Sequence, residues 1–230
     1  MSKKQLFIVA TPIGNLGDIT YRAIRILSEV DFILCEDTRK TKSLLEKYQI
    51  KKPLTAYHQQ SNPRQIEKII DKISKSRTVA LVTEAGTPGI SDPGNELIAR
   101  LEETLGEKID FIPIPGPCAL VSLASVAGIN MNKFVFLGFP PNKKGRNKFF
   151  QELVELNLPV VYYDSPYRVI KNLKLLQEIC EKKEIPKKII LGRELTKMHE
   201  QIKSGTIEEV VDFFNKHPDE IKGEFVLIAY

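Results

Sequence analysis

The amino-acid sequence predicts an α/β protein with two lobes, each built on a mostly parallel sheet covered by helices. Short apolar runs rich in β-branched or aromatic residues alternate with longer amphipathic stretches, which is the pattern of strands joined by crossover helices. The 230 residues are 42% apolar and 27% charged, as in ordinary globular proteins. The flanking sequence changes near residues 114–118, which indicates two domains, residues 1–115 and 116–230.

The first lobe is expected to contain four buried strands closed by turn residues. Two amphipathic segments among them predict helices. Asn62 is a candidate N-cap of one, with Pro63 at its first position, and Leu97 and Leu101 share a face of the other. The predicted strands are "LFIVA", "DFILCE", "TVALVT" and "IDFIPI".

The second lobe repeats this alternation with different flanking residues. Its predicted helices are "PYRVIKNLKLLQEICEKK" and "TIEEVVDFFNKH". Its predicted strands are "KFVFLGF", "LPVVYYD", "KKIILGR" and "GEFVLIAY".

Three loops rich in glycine and proline follow predicted strands of the first lobe: "TPIGNLGD", "EAGTPGISDPG" and "PIPGPCA". Any one of them could be a simple tight turn. Ligands of open α/β sheets bind beyond the carboxyl ends of the strands, so three such loops together favour a shared ligand site. Glycine lets the backbone approach a ligand, and proline fixes φ before binding. None of the loops has G-x-G-x-x-G spacing or a P-loop ending, which disfavours NAD and nucleoside triphosphates.

Charge and cysteine usage narrow the class of protein. The formal charge of +5, with a pI near 8.9, is compatible with an anionic partner such as RNA.

Cys35, Cys118 and Cys180 lie far apart, so we expect neither a disulfide framework nor a zinc knuckle. The three histidines are scattered without metal-ligand spacing, and we predict no metal. No apolar run is long enough to span a membrane, so we expect a cytoplasmic protein.

Six segments resemble, in the expected order, the ribosomal RNA small subunit methyltransferase I family of the tetrapyrrole methylase superfamily. The resemblance extends from about Leu6 to the terminal "KGEFVLI". The glycine-proline loops are shared with tetrapyrrole enzymes, whereas the first, second and last segments are more specific to the ribosomal branch. The segments are "ATPIGNLGDIT", "CEDTR", "EAGTPGISDPG", "PIPGPCAL", "YYDSPYR" and "GRELTKMHEQIKSGT".

The resemblance implies a fold, a cofactor and a substrate. It implies S-adenosylmethionine bound in a cleft between two α/β lobes, usually in a homodimer. It also implies methylation of the ribose 2′-hydroxyl of a cytidine in the decoding region of 16S rRNA, within the small ribosomal subunit. The residues that it implies for cofactor binding are Pro12, Ala85, Gly86, Thr87, Ile90, Cys118, Ala119 and Tyr163.

The sequence departs from its relatives at two motifs. Glu84 stands where similar proteins usually have aspartate, so any contact of its carboxylate is aimed differently. The segment "DSPYR", which contains Asp164 and Tyr167, stands where many relatives have "ESPHR", and it removes a histidine that could transfer a proton.

A ribose hydroxyl is a poor nucleophile, so a carboxylate base would help methyl transfer. The candidates at loop mouths are Glu36, Asp37 and Glu84, with Glu200 as a further one. In a structural interpretation, Glu36 and Asp37 cap the helix that follows, and Glu84 satisfies its own turn. Arg39 lies beside the acidic pair and could hold a phosphate near the methyl group.

Two basic segments, "TRKTKSLLEKYQIKK" and "PPNKKGRNKFF", are candidates for RNA binding. Solvated helix faces are the usual explanation of such runs, but a polyanionic substrate favours phosphate contacts. We predict RNA contacts by Arg39, Lys40, Lys143, Lys144 and Arg146.

Two other functions stay open. A methylase of a small tetrapyrrole or related acidic metabolite would keep the same cofactor loops. A non-enzymatic RNA-binding module would leave the three stiff loops unexplained.

Overall fold

The computed structural model describes residues 3–58 and 62–230. The chain divides into two compact units, Met1–Cys118 and Ala119–Tyr230. The boundary predicted from the sequence, between residues 115 and 116, lies in the loop that ends the first unit.

The first unit contains a five-stranded sheet in which every pairing is parallel. Its strands are β1 (Lys4–Val9), β2 (Phe32–Cys35), β3 (Leu54–Ala56), β4 (Thr78–Leu81) and β5 (Ile109–Ile114). The spatial order is β3-β2-β4-β1-β5. This confirms the parallel sheet predicted for the first lobe and adds the short strand β3.

Helices cover both faces of this sheet. They are α1 (Tyr21–Glu29), α2 (Thr38–Lys47), α3 (Pro63–Lys75) and α4 (Asn95–Leu105). The α3 helix begins as predicted, with Asn62 and Gln65 forming a reciprocal capping box. Consecutive residues of β1 serve different cores: Leu6 packs with residues of α3 and α4, and Phe7 with residues of α1. The sheet is therefore buried on both faces, which explains its nearly continuous apolar runs.

The second unit contains another five-stranded sheet, of order β6-β7-β10-β8-β9, packed against helices. Its strands are β6 (Val135–Phe136), β7 (Val160–Asp164), β8 (Lys188–Arg193), β9 (Gln201–Thr206) and β10 (Phe225–Ala229). Its helices are α5 (Ala119–Ser125), α6 (Arg146–Glu155), α7 (Val169–Lys183) and α8 (Ile207–Lys216). In the described part of the chain, no helix has both the length and the apolar character that crossing a bilayer requires.

The second sheet is mixed, in contrast to the mostly parallel sheet expected from the sequence. Only β6 and β7 pair in parallel, and the β7-β10, β10-β8 and β8-β9 pairs are antiparallel. The cause is one connection: β8 leads directly into β9 without a helix, which reverses the chain. Each strand-helix-strand connection still joins strands of the same direction. The pattern of helices therefore predicted the direction of the strands that they join. Strand β9, which the sequence analysis did not predict, accounts for the difference between the expected and the observed sheet.

Candidate functional site

The three glycine- and proline-rich loops of the first unit are in contact with one another. They follow β1, β4 and β5, which are neighbours in the sheet. The Thr11 amide donates to the Gly86 carbonyl at 2.9 Å, and the Gly86 amide donates back to the Thr11 carbonyl at 3.1 Å. The Thr87 hydroxyl donates to the Pro117 carbonyl at 3.4 Å. We call residues 10–14, 83–90 and 115–118 the loop cluster.

Two glycines allow the loops of this cluster to approach closely. Gly86 has a φ of 84°, in the left-handed region, and a Cβ there would lie 3.5 Å from Ile13 Cγ2. A Cβ on Gly116 would lie 3.0 Å from the Cβ of Ala10. A larger side chain would push the loops apart or strain the backbone at Gly86. The cluster thus presents backbone atoms at the carboxyl edge of the sheet.

Two buried threonines in the loop cluster were not among the predicted site residues. Thr11 is 1% exposed, and its hydroxyl donates to the Thr83 carbonyl at 3.2 Å. Thr83 is also buried, and its Oγ1 has no hydrogen-bond partner among the described residues. In the sequence, each of these threonines directly follows an apolar run, which is the signal that could have identified them. A buried hydroxyl without a partner is uncommon, so Thr83 becomes a candidate for contact with a ligand.

The loop cluster contains six of the eight residues predicted to bind a cofactor. Pro12 and Gly86 are buried, whereas Ile90 is 43% exposed. Ala119 and Tyr163 belong to the second unit, and their part in binding stays a prediction. The six residues in the cluster are Pro12, Ala85, Gly86, Thr87, Ile90 and Cys118.

Ionisable residues at three neighbouring strand ends and on the following helix form a group that we call the acid cluster: Glu36, Glu84, Lys40 and His58. Glu36 follows β2, His58 follows β3 and Glu84 follows β4, while Lys40 lies on α2. Lys40 forms an ion pair with Glu84. Burial, followed by the charge of Glu84, raises the pKa of Glu36 above its ordinary value. The structure therefore brings together two of the predicted catalytic residues, Glu36 and Glu84. Glu84 also belongs to the loop cluster, because it lies in the loop that follows β4.

Asp37 and Arg39 form a separate pair at the start of α2. Asp37 is the N-cap residue, and its carboxylate accepts from the Arg39 amide at 2.8 Å. It also pairs with the Arg39 guanidinium, at 2.9 Å. These bonds to Arg39 lower the pKa of Asp37 to about 2. The capping interpretation therefore describes Asp37, while the Arg39 side chain remains 90% exposed.

In the second unit, the loop between β6 and α6 contains three of the five residues predicted to contact RNA. We call residues 139–146 the basic loop. Lys143 and Lys144 are exposed, and Arg146 bonds back to the carbonyls of Pro141 and Asn142. Arg168, at the start of α7, donates to the Pro140 carbonyl at 3.2 Å and to the Asn142 side chain. These contacts fix the backbone of the loop and leave its lysines in solvent.

The unusual "DSPYR" segment supplies the support for this loop. Asp164 is buried and accepts from Asn172 Nδ2 and from the Ser165 amide, both at 2.7 Å. Burial raises its pKa, and these hydrogen bonds oppose that shift. Arg168 donates to the Ser165 hydroxyl at 3.2 Å, whereas Tyr167 is 92% exposed. Asp164 is thus a structural residue of the network that holds the basic loop.

Glu200 lies in the turn between β8 and β9. Its carboxylate accepts from the Thr196 amide of the same turn. Thr196 and Glu194 both have left-handed backbones, with φ of 69° and 50°. Glu200 therefore stabilises a strained turn of the second unit, whereas Glu36 and Glu84 lie at the sheet edge of the first.

Comparisons with known proteins agree with this architecture. The model of the tetrapyrrole (corrin/porphyrin) methylases matches residues 5–211. A ribosomal RNA small subunit methyltransferase I of Thermotoga maritima is 41% identical over 92% of each chain. The protein of the same name from Hydrogenobaculum sp. is 43% identical and covers 97% of this chain and 94% of its own.

Solved structures show the fold independently of close sequence similarity. Diphthine synthase superposes with a TM-score of 0.74 at 11% identity, over 98% of this chain and 89% of its own. A cobalt precorrin-4 methyltransferase superposes with a TM-score of 0.70 at 16% identity, over 97% and 94%. The chain therefore belongs to the tetrapyrrole (corrin/porphyrin) methylases and, among them, to the ribosomal RNA small subunit methyltransferase I family.

Proposed function

We propose that this protein methylates the ribose 2′-hydroxyl of a cytidine in the decoding region of 16S rRNA, within the small ribosomal subunit. The observation that supports it most is the loop cluster in a chain about 40% identical to ribosomal RNA methyltransferases. Methyltransferases of this family use S-adenosylmethionine. The cytoplasm as the place of action and the homodimer as the working form are parts of the same proposal.

The loop cluster fits S-adenosylmethionine by the chemistry of its surface. Adenine and the methionine chain need apolar walls and a few precisely placed polar groups. Pro12 and Ile13 are buried apolar residues, and Thr83 has a buried hydroxyl without a partner among the described residues. The cofactor supplies an activated methyl group on a sulfonium, which needs no metal.

In this proposal, catalysis depends on the alignment of the reacting groups and on one general base. Fixed loops hold the reacting groups in line, which is where most of the acceleration of a displacement arises. Glu36 then accepts the proton of the ribose hydroxyl. Because burial and Glu84 raise its pKa, its carboxylate is a stronger base than that of an ordinary glutamate. Lys40, paired with Glu84, keeps the acid cluster from accumulating an uncompensated negative charge.

Phosphate contacts are proposed for the exposed cations. Lys143 and Lys144 stand on a fixed loop with their charges in solvent, which suits a polyanion. Arg39 has an exposed guanidinium, already paired with Asp37, that can also meet a phosphate. RNA affinity that depends on these residues falls with rising salt because counterions are released on binding.

The test is transfer of labelled methyl groups from S-adenosylmethionine to small ribosomal subunits from cells that lack this gene. Nuclease mapping should find the label on one ribose 2′-oxygen of 16S rRNA. Subunits from wild-type cells, already modified, are the matched control and should accept little label.

Other outcomes decide against the proposal. Label on a base or on a ribosomal protein would contradict the 2′-hydroxyl as the acceptor. Failure to label the subunits, together with salt-insensitive methylation of a tetrapyrrole, would show that the substrate is the small metabolite considered above.

A further inference from the structure

One exposed aromatic ring of the second unit has no part in the site described so far. Phe139 is 49% exposed, although a phenylalanine ring is normally buried. It is the first residue of the basic loop, directly after Gly138. Single exposed apolar residues are common, so the exposure alone means little. Phe139 is distinguished by the fixed backbone on each side of it and by the residues that surround its ring.

The backbone on each side of Phe139 is fixed. The Gly138 carbonyl accepts from the Tyr163 amide at 2.9 Å, which extends the pairing of β6 with β7. The Pro140 carbonyl accepts from Arg168 at 3.2 Å. Pro140 and Pro141 further restrict φ after the ring. Phe139 is therefore held on a rigid support, and a ligand that binds to it does not have to order the loop.

The ring itself is also held in place. Its centroid lies 5.3 Å from that of Tyr163, with the two planes tilted by 52°. Tyr163 in turn packs edge-on against Phe136, at 5.1 Å. Aromatic pairs at these separations are attractive. The row of three rings ends at Phe139, where the ring is open to solvent.

The basic loop carries exposed cations further along the chain from the ring. Lys143 and Lys144 are exposed in the same loop, four and five residues after Phe139. An exposed aromatic ring and exposed lysines on one loop are the composition of sites that bind single-stranded nucleic acid, since bases stack on the ring and lysines contact the phosphates. The turn between β8 and β9 exposes an apolar residue too, Met198, but the adjacent cation there, Lys197, is already paired with Glu194 and Glu224.

From these features we infer that Phe139 is a stacking residue that positions an unpaired nucleobase of the RNA substrate on the basic loop. This rests on the proposed function and adds to it a specific contact with a base, made through a π-face. The contact tolerates different bases, because every base has a face that stacks. Phe139 therefore positions the substrate strand and does not choose its sequence.

The chain contains no tryptophan, which makes a direct test possible. Phe139→Trp places a single indole at the proposed stacking position, and stacking of a base should quench its fluorescence. The control is Phe134→Trp, at a partly exposed phenylalanine beyond the opposite end of β6. The probes are unmethylated small ribosomal subunits and a short single-stranded RNA that contains cytidine. We expect quenching in the Phe139→Trp protein and an unchanged signal in the Phe134→Trp protein.

Kinetics separate stacking from a general apolar contact. Phe139→Leu keeps apolar bulk but removes the π-face, and we expect KM for the subunit to rise roughly tenfold. Phe139→Tyr should restore it to near the wild-type value. The affinity for S-adenosylmethionine, measured by calorimetry, should change much less than KM in both variants, although the ring packs on Tyr163, which is predicted to bind the cofactor.

The possible failures are distinguishable. If the wild-type protein does not methylate subunits, the proposed function is wrong. If it does, and Phe139→Leu has a wild-type KM with no quenching in Phe139→Trp, the stacking inference is overturned. A change of oligomeric state in Phe139→Leu, measured by sedimentation, would also overturn it, because the ring would then belong to a contact between copies of the chain.

Discussion

The loops that follow the strands are held differently in the two units. In the first unit, reciprocal backbone bonds between Thr11 and Gly86 hold the loops together at the edge of a parallel sheet. In the second, buried or half-buried side chains do so: Asp164 fixes the strand end, and Arg168 fixes the basic loop. Loops held by backbone bonds and glycines put few side chains between the backbone and a small ligand. Side-chain contacts leave long cations free at the surface, which suits a large polyanion.

The proposed base lies in the first unit, so the largest effect is expected there. Glu36→Gln removes the proposed base while keeping the shape of the side chain. We expect kcat for subunit methylation to fall about 100-fold or more. S-adenosylmethionine affinity should change little. Glu46→Gln, at an exposed position on α2, is the matched control. Wild-type kcat in Glu36→Gln would show that the base is elsewhere.

Gly86→Val tests the backbone character of the loop cluster. A β-branched residue at a φ of 84° is strained, and its side chain would approach Ile13 and Pro117. We expect the dissociation constant for S-adenosylmethionine to rise about 10- to 100-fold. Gly106→Val introduces similar strain at a φ of 50°, where a Cβ meets nothing within 4 Å. If both variants bind equally well in calorimetry, the loop cluster is not the cofactor site.

Asp164→Ala tests the side-chain network of the second unit. It leaves Asn172 Nδ2 and the Ser165 amide without their acceptor in a buried place. We expect a loss of about 2 kcal/mol in the free energy of unfolding, measured by urea denaturation with circular dichroism. Asp219→Ala removes only an exposed ion pair and should cost little. Equal stability of the two variants would mean that the network is not needed to hold the unit.

The smallest expected effect is a shift of the pH profile. Glu84 raises the pKa of Glu36, whereas Lys40 lowers it. Because the base must be ionised, Glu84→Gln should move the acidic limb of the kcat/KM profile to lower pH. Lys40→Met should move it to higher pH. Shifts in the same direction in both variants, or none in either, would contradict the role given to Glu36.

Much of the first unit could be predicted from the sequence because its strands are buried on both faces. Their apolar runs and the glycine-proline loops between strand and helix are local signals, and Asn62 identified a helix start correctly. The second unit was less predictable. Strand β9 has no buried residue in its sequence "QIKSGT", since it is an edge strand with alternating half-buried and exposed positions. Without it, the reversal of the sheet could not be foreseen.

The candidate site, like the fold, has features that the sequence predicts and features that it does not. Loops at neighbouring strand ends were expected to meet, and they do, because parallel topology places them at one edge. The partners of individual side chains were less accessible to prediction. The sequence allows Asp37 to be either a helix cap or a catalytic carboxylate, and its bonds to Arg39 depend on local geometry. The hydroxyl of Thr83 gave only the weak signal of a polar residue after an apolar run.

The central claim is that the loop cluster of the first unit holds the methyl donor. Ultraviolet cross-linking with methyl-labelled S-adenosylmethionine, followed by proteolysis and mass spectrometry, tests it most directly. We predict label on peptides that contain residues 10–14, 83–90 or 115–118, and loss of that label in Gly86→Val. Label confined to other parts of the chain, such as the turn between β8 and β9, would contradict the account.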